Sequence, residues 1–238
     1  MEYTSPADKK LPLEEHLLEL RNRLLVVISA LAFFTLIFFI FSSDILLFIN
    51  HAFIPAGTPL IILNPLEHMY MRFLLSVAGA ICICFPLLMY ELFKFMRPGM
   101  LPNETKFFIT AVPASLVLFF VGALAAYFLV IPFSVKFLLS YAEGSVEPML
   151  SLSRFISFIF FTFLSMGIIF QLPLIVSFMV KTNLVRHKDL KEKRKYVYGL
   201  LFVLAITIVP DPTPVTPLVI LVTFVVVYEA SILLAGLF

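Results

Sequence analysis

Uninterrupted apolar runs recur six times along the chain, at about Leu24 to Phe41, Phe73 to Tyr90, Phe107 to Pro132, Phe155 to Val180, Tyr196 to Val209 and Thr216 to Phe238. In hydrocarbon a helix satisfies its own backbone hydrogen bonds, so each run reads as a transmembrane helix. The dyad alternation of a membrane barrel is absent. The fifth run, Tyr196 to Val209, reaches only about 21 Å against a hydrocarbon core of about 30 Å. It leads into "VPDPTPVTP", a proline-rich turn that cannot continue a helix. The pattern therefore predicts an all-α integral membrane protein with six spans, the fifth and sixth forming a tight, short hairpin.

Polar residues inside these runs stand out. In "GIIFQLPLIV", Gln171 lies ten residues before Lys181, hence about 15 Å from the end of its helix and near the bilayer midplane. An amide facing lipid is costly, so Gln171 is expected to face other helices or a wetted cavity. Pro173 cannot donate to the carbonyl of Ile169 and should bend the helix there. Glu229, late in the sixth run, leaves two readings open: a partnered group facing the bundle, or a solvated one near the interface.

Composition and charge add direction. The 238 residues are 61% hydrophobic and 13% charged, with a mean hydropathy of +1.06, and no stretch mixes polar and apolar residues for long enough to build a soluble unit. We read one polytopic domain over residues 1–238, residues 1–23 forming an amphipathic cytoplasmic segment. Four basic residues precede the first span (Lys9, Lys10, Arg21, Arg23), three separate the second and third (Lys94, Arg97, Lys106), and seven separate the fourth and fifth, from Lys181 to Lys195. Only Arg72, Lys136 and Arg154 remain for the other side, which makes both termini cytoplasmic. The N-terminal segment does not follow the pattern of a cleavable signal, so the first run is expected to be retained. Cys82 and Cys84 lie in an apolar stretch without further ligands nearby, as small packing residues do.

The sequence lacks HExxH, GxSxG and Gly-rich phosphate-loop motifs, and its four histidines are far apart. An enzyme, a metal site and a cofactor are not expected. The basic run "RHKDLKEKRK" is explained by topology and anionic lipid rather than nucleic acid. Two cytoplasmic stretches are more informative. "LPLEEHLLELRNRLL" places Leu13, Leu17, Leu20 and Leu24 at helical spacing, with Glu19 and Arg23 at i, i+4. It is either an interfacial helix with a local pair or an acidic group offered to a basic ligand. In "YELFKFMRPGMLPNETKFF", Glu91 and Lys94 are expected to pair at i, i+3, and Glu104 sits in or just before the first turn of the third span, favourable to the helix dipole. Asp211 reads as a turn acid between two prolines.

"HLLELRNRLL", "FPLLMYELFKFMRPGMLPNET", "GIIFQLPL", "DLKEKRKYV" and "VPD", in this order on six spans, resemble the TatC family, the receptor subunit of the twin-arginine protein translocase. The resemblance covers the whole chain. It implies a multi-pass protein in the cell membrane of a bacterium or archaeon. Such a protein binds twin-arginine signal peptides of folded precursors. With single-span partners of the TatA and TatB kind, in a multimeric complex, it supports their transport driven by the proton-motive force. The family's signal-binding carboxylates fall on Glu19 and Glu104, flanked by Arg21 and Phe95, and Asp211 falls on a family position. The family usually has glutamate where Gln171 stands, so the midspan group here offers hydrogen bonding without proton exchange. A six-span small-molecule or ion transporter, with Gln171, Pro173 and Glu229 forming a midplane site, is the alternative from a different class.

Overall fold

The computed structural model describes residues 13–54, 60–96, 102–142, 150–182, 184–208 and 215–236. Asp211 lies outside them with the rest of residues 209–214 of the proline-rich stretch, as do the first twelve residues. The described chain is almost entirely helical. The first apolar run belongs to α1 (Leu13–Phe53), about 60 Å long at 1.5 Å per residue. Strand β1 (Leu60–Ile61) leads into α2 (Pro65–Met96). The third run is a composite of α3 (Pro102–Ala125), a π-helical turn (Ala126–Val130) and α4 (Ile131–Ala142). Strand β2 (Leu150–Ser151) then opens α5 (Leu152–Ile169), and α6 (Leu172–Lys181) follows. A short α7 (His187–Glu192) precedes α8 (Arg194–Ile208) and α9 (Val215–Ala235).

Among the described residues, five stretches are long and apolar enough to cross a membrane: Glu14–Phe53, Pro65–Met96, Thr110–Ser140, Leu152–Lys181 and Thr216–Ala235. The expected fifth span is α8, whose 15 residues fall short of the other five. The sixth is not short as expected: α9 has 21 residues, about 31 Å, because its apolar run starts directly after the prolines. The long helices also overrun the apolar runs: α1 carries Ser42, Asp44, Asn50 and His51 beyond its apolar stretch. Helical hydrogen bonding continues past the hydrocarbon because each turn templates the next.

Two irregularities follow from proline chemistry. Pro132 has no N–H and its ring excludes an ordinary bond to the carbonyl four residues back. The π turn precedes it, with the Ile131 N–H reaching back to Ala126 O, and takes up the misfit. At Pro173 the predicted bend is a break: the Gln171 N–H bonds to Ile168 O at 2.9 Å, and α6 restarts when the Leu174 and Ile175 N–H groups both bond to Gln171 O at 3.0 Å.

α1 packs along α2, α5 lies against both α2 and α3, and α6 and α8 pack on α9. The α3–α5 contact is tight because glycine permits it. A Cβ on Gly122 would meet Met166 O at 2.6 Å, and one on Gly167 would meet the Phe119 ring at 2.4 Å. Phe119 is buried there, its ring stacked on Phe85 at 3.9 Å. Cys84 is buried in this core and Cys82 half-buried, both as free thiols. β1 and β2 pair in parallel, Leu60 with Leu150 and Ile61 with Ser151, tying the far end of α1 to the start of α5.

Candidate functional site

The N-terminal end of α1 meets the C-terminal end of α2 through charge. Arg23 donates from Nε to Glu19 Oε1 at 3.0 Å and from Nη1 to Glu91 Oε2 at 2.8 Å, with a further short bond from Nη2 to Glu19. The three side chains are mostly sheltered: Arg23 is 15% exposed, Glu91 13% and Glu19 25%. Two carboxylates thus share one guanidinium, leaving a net negative charge beside an open groove whose solvent partly screens it. His16 extends the group, its Nδ1 3.8 Å from Glu19 Oε2 and its ring stacked on Phe95 at 4.3 Å. Glu19 and Phe95 are therefore brought together, joined by His16. Arg21 is exposed on α1.

The expected local pair between Glu91 and Lys94 gives way to a long-range one. Glu91 takes Arg23, 68 positions away in sequence, and Lys94 Nζ lies 5.6 Å from the centre of the Tyr90 ring. A guanidinium already fixed by Glu19 and sheltered by two helices binds a carboxylate better than an exposed ammonium on the same helix does. Sequence reasoning missed Glu91 and His16 as members of this group. The only signal was their placement on amphipathic helix ends, which many unconnected residues share.

An open groove of about 500 Å³ runs beside the charged group, walled by Glu15, Glu19, Asn22, Arg23, Glu91 and Lys94. A second hollow of about 250 Å³, almost wholly apolar, shares Arg23 and Glu91 and is otherwise lined by residues such as Leu24, Val27, Leu88 and Phe95. Acid and apolar surface adjoin each other, which suits a basic peptide with an apolar continuation. Glu104 lies in the first turn of α3; its side chain is outside the described residues.

The remaining sequence candidates sit elsewhere. Gln171 is 5% exposed at the α5–α6 break, and its Nε2 donates to Ser115 O on α3 at 3.1 Å and to Gly167 O at 3.4 Å. The amide faces other helices, as its cost in lipid requires. Pro173 is buried beside it. Glu229 is partnered yet 31% exposed: it accepts from Arg194 Nη2 at 2.6 Å, at the N-terminal end of α8, and from the Tyr198 hydroxyl, joining α9 to α8. The Tyr228 hydroxyl adds a bond to Leu190 O of α7 at 3.1 Å. Among the described residues no group of three or more His, Cys, Asp or Glu is placed to hold a metal ion.

Comparison with known proteins places this arrangement. Residues 15–222 match the family profile "Sec-independent protein translocase protein (TatC)". The Sec-independent protein translocase protein TatC of Methanocella arvoryzae is 35% identical over 229 residues, covering 96% of this chain and 95% of the relative. That of Aquifex aeolicus is 31% identical, covering 95% of each chain. A crystal structure described as the twin arginine translocase receptor TatC superposes with a TM-score of 0.83 at 31% identity, covering 93% of this chain and 98% of the other. A second, of the receptor in the detergent DDM, gives 0.84 at 30% identity. These relatives are components of a protein translocase, which leaves the small-molecule transporter without support.

Proposed function

Because the chain belongs to the TatC family of Sec-independent protein translocase proteins, we propose that it is the receptor subunit that captures twin-arginine signal peptides. A multi-pass protein of this family works in protein transport across a membrane and is not a known enzyme. The proposal concerns the residues that make the capture. Glu19 and Glu104 jointly bind the arginine pair, with Arg21 and Phe95 flanking them. A paired-arginine ligand presents two planar guanidiniums, each able to take a carboxylate through two parallel hydrogen bonds, and lysine cannot reproduce that fork.

One observation carries this reading: Glu19 sits in a group of two carboxylates and one guanidinium, beside an open groove and an adjoining apolar hollow. The basic residues from Lys181 to Lys195 support a cytoplasmic placing of both termini and of the Glu19 end. With α8 as a short fifth crossing, the chain makes six spans. The bilayer thins beside α8, or neighbouring helices shield its ends. TatA- and TatB-type single-span proteins are the partners in a multimeric complex, and the Gln171–Pro173 break, itself buried, shapes the surface they meet, with Ile168 and Ile175 exposed on either side of it. The chain lies in the cell membrane of a bacterium or archaeon.

Photocrosslinking from positions next to Glu19 and Glu104 to a precursor carrying paired arginines tests the reading. Adducts that disappear when the arginine pair becomes a lysine pair are expected. Full crosslinking to a Glu19→Ala, Glu104→Ala double variant contradicts it.

A further inference from the structure

Arg23 stands where a ligand's guanidinium has to go. Its Nε and Nη2 both hold Glu19 Oε1, and the other oxygen, Oε2, faces His16 Nδ1 at 3.8 Å. A guanidinium binds a carboxylate most strongly by taking both oxygens, and Arg23 blocks that pose for as long as it holds Oε1. Glu91 gives Arg23 somewhere else to be. Its Oε2 already accepts from Nη1 at 2.8 Å, and at 13% exposure it is the most sheltered of the three side chains. When Arg23 lets go of Glu19, Glu91 still compensates its charge, so no half-buried cation is left alone.

Resting on the receptor reading above, we propose that Arg23 is a built-in occupant of the Glu19 carboxylate, displaced onto Glu91 when an arginine of the signal peptide binds. Glu91 is then a positioning residue: it acts through Arg23 and sets how readily Glu19 becomes available. The exchange also sharpens the choice of ligand. An incoming arginine replaces the lost N–H bonds with an equivalent fork, whereas a lysine offers a point charge that cannot. The ligand class is a peptide with adjacent guanidiniums followed by an apolar segment.

The test uses the full chain in lipid nanodiscs and a labelled synthetic peptide carrying an arginine pair before an apolar segment, beside its lysine-pair counterpart. Glu91→Gln is expected to weaken arginine-peptide binding about tenfold, because Arg23 then has Glu19 as its main anchor. Adding Arg23→Gln to Glu91→Gln removes the competitor. It is expected to restore binding at least to the wild-type level while narrowing the arginine-over-lysine preference. This double variant removes the Arg23–Glu91 pair together and leaves Glu19, 25% exposed, as the one carboxylate of the three for the peptide to compensate. Unchanged binding in Glu91→Gln overturns the proposal, and so does a double variant as weak as the single one. If the arginine peptide fails to bind the unmodified protein, the receptor reading itself falls, a distinct result.

Discussion

Among the described residues, two guanidinium–carboxylate groups join helices, and they are built differently. Arg194 of α8 meets Glu229 of α9 one to one, and the second carboxylate oxygen is taken by the Tyr198 hydroxyl. Charge there is balanced and both acceptor oxygens are used. Arg23 is instead shared by Glu19 and Glu91, and one Glu19 oxygen is left to a histidine at 3.8 Å. The first group adds a charged tie between α8 and α9, which also pack through Leu201, Ala205, Ile220 and Phe224 in the core. The second holds α1 to α2 while keeping negative charge beside a groove. A balanced pair stabilises; a pair with an extra carboxylate also has something to offer a ligand.

Several substitutions separate the two groups. The largest effect is expected for Glu19→Ala with Glu104→Ala, which should weaken binding of a paired-arginine peptide by about a hundredfold or more, read by fluorescence anisotropy. A loss below about tenfold breaks the assignment of the acidic group to the ligand. Raising NaCl from about 50 to about 300 mM should weaken the same binding severalfold, since the groove is open and its field is screened; salt-independent binding argues for apolar capture instead. Glu229→Gln should cost about 1 kcal/mol of stability, because the pair is 40% and 31% exposed and therefore modest. Peptide affinity should stay the same in that variant, and a drop comparable to the Glu19 variant erases the contrast. The smallest effect belongs to Gln171→Leu, which deletes the bond to the Ser115 carbonyl and should lower stability by about 0.6 kcal/mol. Gln171→Glu with unchanged transport supports a midspan group that need not exchange a proton, whereas full activity of Gln171→Leu reduces the amide to packing.

Hydropathy made five spans legible, because length and apolarity are what the bilayer asks of a helix, while α8 at 15 residues lacks the length. The Pro173 break was legible for the same kind of reason: a missing N–H is a local fact. Helix ends were not, since α1 runs on through Asp44 and Asn50 to Phe53, where no energetic penalty stops it. The π turn before Pro132 depends on how a helix redistributes one misfit, which hydropathy does not encode. At the site, Glu19 and Phe95 could be named from motifs, but their meeting through His16 is tertiary. Glu91 was read toward Lys94, three residues away, because sequence shows near neighbours and hides one 68 positions off. For Glu229 the partners were hidden for the same reason, since Arg194 and Tyr198 lie 35 and 31 positions away and come into reach only from α8.

The central claim is that carboxylates at the Glu19 end recognise the forked geometry of paired arginines and not charge alone. Titrating the purified protein with two peptides that differ only in an arginine or a lysine pair measures it directly. Arginine binding at least about tenfold tighter is the predicted result. Equal affinities contradict the account.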